Sequence, residues 1–166
     1  IKSRAVHDDD YLKFQGNYII RLTSNGTFDI RENIHRVWLD IGVLDITDFV
    51  DELKRDPHLL VIGIDANPEM MRRQRFKHPH FRLFNFAAGE ERKYIEFNVH
   101  DHAGCSSVLE SNTEFDLNTS SRPHVRNNGQ FLDMCTHKHH SVTVPMVKLD
   151  DFMARIPSHL PIGWVK

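Results

Sequence analysis

Short apolar runs alternate with amphipathic segments from residue 36 onward. Residues 37–41 and 59–64 are compact apolar runs, typical of strands that are buried on both faces. Residues 47–55 place apolar side chains at helical spacing, and residues 67–76 begin with the Asn-Pro-Glu pattern of a helix start. Residues 81–86 form a third apolar run. This order of strand, helix, strand, helix and strand predicts an α/β fold with a parallel sheet.

The pattern changes after residue 90. Residues 93–99 and 142–147 alternate between apolar and polar positions, so we expect two strands that pair as an antiparallel excursion or lie beside the sheet. A long polar segment separates them, which suits a lid or binding loop. Residues 149–156 then predict a short helix, and residues 162–165 another buried strand.

Composition narrows the class of protein. With 166 residues, 40% hydrophobic and 27% charged, the chain suits one domain with a sizeable core, which we assign to residues 36–166 after an N-terminal extension at residues 1–35. A net charge of −2 argues against a nucleic-acid partner. The longest apolar run, residues 59–64, is too short to span a membrane.

Cysteine and histidine offer weaker signals. Cys105 and Cys135 do not make a disulfide framework and slightly favour a reducing, cytoplasmic compartment, although one bridge stays open as an alternative. Histidines cluster at residues 78–80, 100–102 and 137–140 without any regular metal-ligand spacing. We therefore expect solvated loop histidines and no metal site.

Candidate chemistry lies at the ends of the first two predicted parallel strands. Asp40 and Gly42 end the first strand and Asp65 ends the second, where ligands bind in open α/β sheets. The alternative is that both carboxylates merely cap the following helices. The first loop has one glycine and then Asp45, which opposes phosphate binding and favours a cationic or zwitterionic ligand such as S-adenosylmethionine.

An ordered series of motifs extends this interpretation over residues 36–166. The motifs are Asp40-Ile41-Gly42, Ile64-Asp65-Ala66-Asn67-Pro68, Asn85-Phe86-Ala87-Ala88-Gly89, Val144-Pro145-Met146-Val147-Lys148-Leu149-Asp150-Asp151 and Trp164-Val165-Lys166. The series resembles the FkbM-type methyltransferases. That resemblance implies a Rossmann-like fold with a mostly parallel sheet, helices on both faces and an antiparallel excursion. It also implies S-adenosylmethionine as cofactor and O-methylation of a hydroxyl on a sugar or small metabolite, so the expected partner is a small-molecule or glycan acceptor.

The resemblance also implies roles for particular residues. Asp40 and Gly42 would line the methionine part of the cofactor, Asp65 would bind the ribose, and Phe86 and Ala87 would border the adenine. The implied cofactor-binding set is Asp40, Gly42, Asp65, Ala66, Asn67, Phe86 and Ala87.

Two departures from the family pattern leave a second interpretation open. Leu44 and Ile46 stand where the family often has Asn and a second glycine, and a β-branched residue resists positive φ. The pattern also stops at Lys166, after the fourth core strand, where the family continues, so we expect a C-terminally incomplete domain. The alternative function is a non-catalytic remnant acting as a binding module, or a truncated inactive fragment.

Methyl transfer depends mainly on the alignment of a hydroxyl oxygen with the methyl carbon. A general base can assist by removing the hydroxyl proton. His100, His102 and Lys166 are the candidate bases, with exposed polar residues as the alternative interpretation of all three.

Overall fold

A computed structural model describes residues 5–12, 19–43, 47–73, 78–100, 103–109 and 138–166. These form two compact units. Unit 1 comprises Ile1–Tyr94 and Pro145–Lys166, and unit 2 comprises Ile95–Val144. The expected loop residues Leu44 and Ile46, the base candidate His102 and the cysteine Cys135 lie outside the described residues.

A four-stranded parallel sheet forms the centre of unit 1. Its strands are β3 (Arg36–Ile41), β4 (Leu59–Asp65), β5 (Phe81–Asn85) and β9 (Ile162–Val165), in the spatial order β5-β4-β3-β9. Helix α1 (Thr47–Arg55) connects β3 to β4, and α2 (Pro68–Arg73) follows β4. The α/β fold with a parallel sheet is therefore confirmed, and it is compatible with a Rossmann-like arrangement.

Two cores cover the opposite faces of this sheet. Alternate residues of β3 and β4, such as Val37 and Ile62, belong to the larger first core, whereas Val61 belongs to the second core. Helix α1 contributes Phe49 and Leu53 to the second core. Runs without polar interruption are what a strand covered on both faces requires, which explains the continuous apolar pattern of residues 59–64.

The segment before residue 36 belongs to the first core. Strands β1 (Ile20–Leu22) and β2 (Phe28–Ile30) form an antiparallel hairpin, after a single 3-10 turn at Asp8–Asp10. Buried side chains of this segment, including Tyr11 and Phe28, pack in the first core together with Phe152 of α3 (Leu149–Met153). The described part of residues 5–35 is thus packed into unit 1.

Four elements differ from the expected pattern. Strand β9, expected to be buried, is the edge strand of this sheet among the described strands, so Ile162 and Val165 are exposed (37% and 55%) and Trp164 alone of its four residues is half-buried. Residues 87–89, expected to close the third strand, form a short strand of their own, β6 (Ala87–Gly89), which pairs in parallel with Met146–Lys148 of β8. Strand β8 (Lys138–Lys148) starts four residues earlier than the alternation predicts, because backbone pairing does not require alternating side chains. Helix α3 ends at Met153, where turns replace the predicted last helical residues.

Strand β7 (Lys93–His100) is the neighbour of β8 in the sheet order, as expected for the two alternating segments. In unit 2, Thr143 Oγ1 donates a hydrogen bond to Glu96 Oε1 (2.8 Å), and Ser141 Oγ donates one to Asn98 Oδ1 (3.1 Å). Cys105, in a 3-10 turn at Ala103–Cys105, is disulfide-bonded. Of the two possibilities left open for the cysteines, Cys105 therefore adopts the bridged one.

Candidate functional site

The sheet order places a topological switch point at the carboxyl end of β3. The chain adds β4 and β5 on one side of β3 and returns with β9 on the other side. Loops leave such a point in opposite directions and open a crevice, which is where ligands bind in α/β sheets. Lys166 follows β9 here, since its backbone N–H donates to Leu39 O (3.1 Å) and its carbonyl accepts from Ile41 N (2.9 Å).

Gly42 forms the turn out of β3 at this switch point. Its φ is +84°, a conformation that glycine adopts without the Cβ penalty of other residues. Its N–H donates to Ile64 O (2.7 Å), and a Cβ added to it would meet no atom within 4 Å. The next residue, Val43, is 1% exposed and belongs to the second core. The backbone at Gly42 is therefore exposed and has open space in front of it.

The two strand-end carboxylates lie on the same face of the sheet. Asp40 pairs in register with Gly63, and Asp65 lies two residues beyond Gly63 on β4. Residues two apart on a strand share a face, so Gly63 and Asp65 point the same way. Trp38, two residues before Asp40, packs against the second core, and the side chain of Val43 from that core covers Gly63. Asp40 and Asp65 therefore both belong to the face that α1 covers.

Asp65 has a perturbed pKa. Burial and, as a smaller cause, the negative charge of Asp40 raise the pKa of Asp65 to about 6, against a lowering by the hydrogen bond from the Asn67 N–H. Both raising effects disfavour the charged carboxylate, so a nearby cation would relieve them. The face thus holds two interacting carboxylates, of which Asp65 is partly accessible and Asp40 is 1% exposed.

Hydrogen bonds fix the loop that carries Asp65. The Asn67 N–H donates to Asp65 Oδ1 (2.6 Å), and Asn67 Oδ1 accepts from Glu69 N (3.0 Å) at the start of α2. Asn67, 4% exposed, therefore acts as the helix cap that its sequence position predicts.

Asn85, at the end of β5, was not among the expected site residues. Its Nδ2 donates to Asp65 O (2.8 Å) and to Ala66 O (3.1 Å), and so holds the 65–66 backbone in place. Its position at the end of the third parallel strand is the sequence signal that could have identified it.

The remaining expected cofactor residues differ in accessibility. Ala66 is partly exposed and Ala87 is 9% exposed. Phe86 is 0% exposed, and its ring packs against those of Tyr11 (5.3 Å between centroids) and Phe152 (5.1 Å). The structure brings Asp40, Gly42 and Asp65 together at one strand end, whereas the Phe86 ring belongs to the first core.

The candidate bases are separated by unit. Lys166, in unit 1, is exposed and follows β9 at the switch point. His100, in unit 2, is 5% exposed, so the expectation that it is an exposed polar residue is wrong for this histidine. Its strand continues through a wholly buried stretch, and its backbone N–H donates to Ser106 Oγ (3.1 Å). Its Nδ1 has no hydrogen-bond partner among the described residues.

Within the described ranges, no group of three or more His, Cys, Asp or Glu side chains is arranged to hold a metal ion. Among the helices that the structure describes, none combines the length and the apolar character needed to cross a membrane.

Comparison with known proteins adds no assignment: no protein-family model, curated protein or solved structure matches the chain.

Proposed function

We propose that the chain is an S-adenosylmethionine-binding domain of the methyltransferase type, similar to the FkbM family, and that it methylates a hydroxyl of a sugar or small metabolite. The observation that carries the proposal is the pair of carboxylates on one sheet face, beside an open glycine turn, at the topological switch point. The finer fold assignment, a Rossmann-like methyltransferase sheet, belongs to the same proposal.

The residues present fit this cofactor in charge. When bound, S-adenosylmethionine supplies an electrophilic methyl group on a cationic sulfonium, together with an ammonium group and a ribose. Asp65 is the accessible carboxylate, suited to accept hydrogen bonds from ribose hydroxyls. Asp40 is 1% exposed, so it acts through its charge, which favours a cation and opposes a phosphate.

Beside Gly42 the residues also fit in shape, whereas the strip of sheet at Gly63, between the two carboxylates, is covered by the side chain of Val43. Gly42 leaves open space where a Cβ would stand, so backbone can approach a ligand there. Asn85 and Asn67 hold the Asp65 loop by hydrogen bonds that do not use Asp65 Oδ2, which leaves this oxygen for a ligand. Binding at Phe86 would use its backbone, because the ring is enclosed in the first core.

Calorimetric titration of the purified chain with S-adenosylmethionine tests the proposal. We expect a micromolar Kd for the wild type and a loss of at least tenfold in affinity for Asp65→Ala, a change of about 1.4 kcal/mol or more. Asp29→Asn is the matched control, because Asp29 is an exposed aspartate of β2 outside the site and its loss changes the net charge equally.

Titration with S-adenosylhomocysteine, which lacks the sulfonium charge, separates charge from shape. The proposal requires this product to bind with less dependence on Asp40→Asn than the cationic cofactor does. Absent or millimolar binding of both compounds would support the non-catalytic alternative and overturn the proposed activity.

Lys166 is the base candidate that lies at the proposed site. Its role is tested with Lys166→Met after an acceptor has been identified from transfer of a labelled methyl group. A base would lower the rate constant of transfer without weakening cofactor binding, whereas unchanged turnover would exclude Lys166 from the reaction.

A further inference from the structure

The turn between β1 and β2 carries the acceptor motif for N-linked glycosylation, Asn25-Gly26-Thr27. Asn25 is exposed, and Gly26 has a φ of +82°, which closes the tight turn. The motif therefore occupies a surface loop, as modification by a bulky group requires.

The hydrogen bonds of the Asn25 side chain leave its amide nitrogen, Nδ2, available for modification. Asn25 Oδ1 accepts from Thr27 N (3.2 Å), from Thr27 Oγ1 (2.7 Å) and from the hydroxyl of Thr23. All three use the amide oxygen, so the atom that would receive the sugar, Nδ2, is not needed to hold the turn. The hydroxyl that the motif demands at its third position lies directly against the acceptor amide.

The turn is anchored from its other side. Arg155 Nη1 donates to Gly26 O (2.6 Å), and the Phe28 N–H donates to Arg155 O (2.7 Å). Phe28 is 2% exposed and packs in the first core. A group added to exposed Asn25 therefore displaces no core contact of this hairpin.

An independent observation concerns the compartment. Cys105 is disulfide-bonded, and disulfides form and persist mainly in oxidising compartments, which are also where N-linked glycans are added. Formation of the bridge removes two electrons and two protons from two thiols, which a thiol–disulfide oxidoreductase of such a compartment takes up.

We infer that Asn25 is an N-glycosylation site and that the chain matures in an oxidising, glycosylating compartment. The donor class is an oligosaccharide linked to a lipid diphosphate. The Asn25 Nδ2 forms a bond to the anomeric carbon of the sugar, the bond from that carbon to the diphosphate oxygen breaks, and the amide loses one proton. This inference is independent of the proposed methyltransferase activity.

The test uses the full chain isolated, through a tag at its own gene, from the cells that naturally produce it. Treatment with peptide N-glycosidase in heavy-oxygen water converts a glycosylated asparagine to aspartate that carries the heavy isotope. We expect mass spectrometry to find the label at position 25. Recovery of the Asn25 peptide in unmodified form only would overturn the inference, whatever the state of Cys105.

Variants assign the glycan to this motif. Asn25→Gln and Thr27→Ala should abolish the shift in electrophoretic mobility that the glycosidase removes, whereas the matched Thr27→Ser, which keeps the hydroxyl, should retain it. A second acceptor motif, Asn118-Thr119-Ser120, lies outside the described residues. The variant Asn118→Gln removes this motif and so distinguishes a glycan there from one at Asn25. A shift that survives in Asn25→Gln but is absent in Asn118→Gln counts against Asn25. If the variants fail to accumulate, the label on the wild-type peptide decides alone.

Discussion

Replacing Asp65 by asparagine should stabilise the protein near neutral pH and have little effect in acid. The folded-state pKa of Asp65 is raised from 3.8 to about 6, first by burial and then by the charge of Asp40. The folded protein therefore binds more protons at this residue than the unfolded chain does between these two pH values. Its free energy of unfolding contains a contribution that is fully present below pH 3.8 and is lost as pH rises through about 6.

The size of this effect follows from the shift. About two pH units at ~1.4 kcal/mol per unit give about 3 kcal/mol as an upper bound. Because Asp65 is partly exposed, solvent screening reduces the contribution to about 1–3 kcal/mol. Asparagine keeps an oxygen that accepts the Asn67 N–H hydrogen bond but cannot ionise. Asp65→Asn should thus exceed the wild type by about 1–3 kcal/mol at pH 7.5.

Urea unfolding of both proteins from pH 4 to pH 8 measures this difference. The fluorescence signal comes from Trp38 and Trp164, whose ring centroids lie 5.8 Å apart beside the second core. The control Asp29→Asn, at an exposed position, should differ from the wild type by less than about 0.5 kcal/mol throughout. A difference for Asp65→Asn that is independent of pH, or that grows toward acid, would refute the reasoning.

The remaining predictions concern the same strand ends and the hairpin. Affinity for S-adenosylmethionine should fall about tenfold per pH unit below pH 6 in the wild type, since the ionised carboxylate binds; titrations in which Asp65→Asn showed the same pH dependence would contradict this. Gly42→Ala should lower the free energy of unfolding in urea by about 1–2 kcal/mol, because its φ of +84° alone disfavours a residue with a Cβ. Gly42→Asn should lower it less, and equal losses for the two variants would disprove a backbone origin. Gly63→Ala should cost about 1–3 kcal/mol, because its Cβ would lie 2.8 Å from Val43 Cγ2, and adding Val43→Ala should recover part of that cost; no recovery in the double variant would count against the clash. Arg155→Met should cost about 1–3 kcal/mol by removing the bonds to Asp8 and Gly26 O, while Arg92→Met, at a more exposed ion pair, should cost under about 1 kcal/mol; the reverse order would exclude Arg155 as the anchor.

The elements of the parallel sheet were largely predictable because their signals are local. A helix at Thr47–Arg55 and a helix start at Asn67-Pro68 depend on spacing and capping within a few residues, and both occur as predicted. The strand formed by Ala87–Gly89 was not predictable in this way. It exists because Met146–Lys148, far along the chain, pairs with it.

The burial and contacts of site residues also depend on distant segments, so the sequence did not predict them for every residue. His100 looks like a polar strand end in the sequence, yet it is 5% exposed, because cover by other segments decides its environment. Asn85 becomes part of the site only because β5 lies beside β4, which brings its amide to the backbone of Asp65 and Ala66.

The amino-acid sequence alone determined which residues end the strands, since apolar runs stop at Asp40 and Asp65 and a glycine follows the first of them. The tertiary structure alone decided that both carboxylates share a sheet face and that β9 returns on the other side of β3. Face and strand order depend on pairing between residues distant in the chain, and charge interactions depend on the resulting distances and burial. The raised pKa of Asp65 is therefore a property of the assembled sheet, with no counterpart in the local sequence.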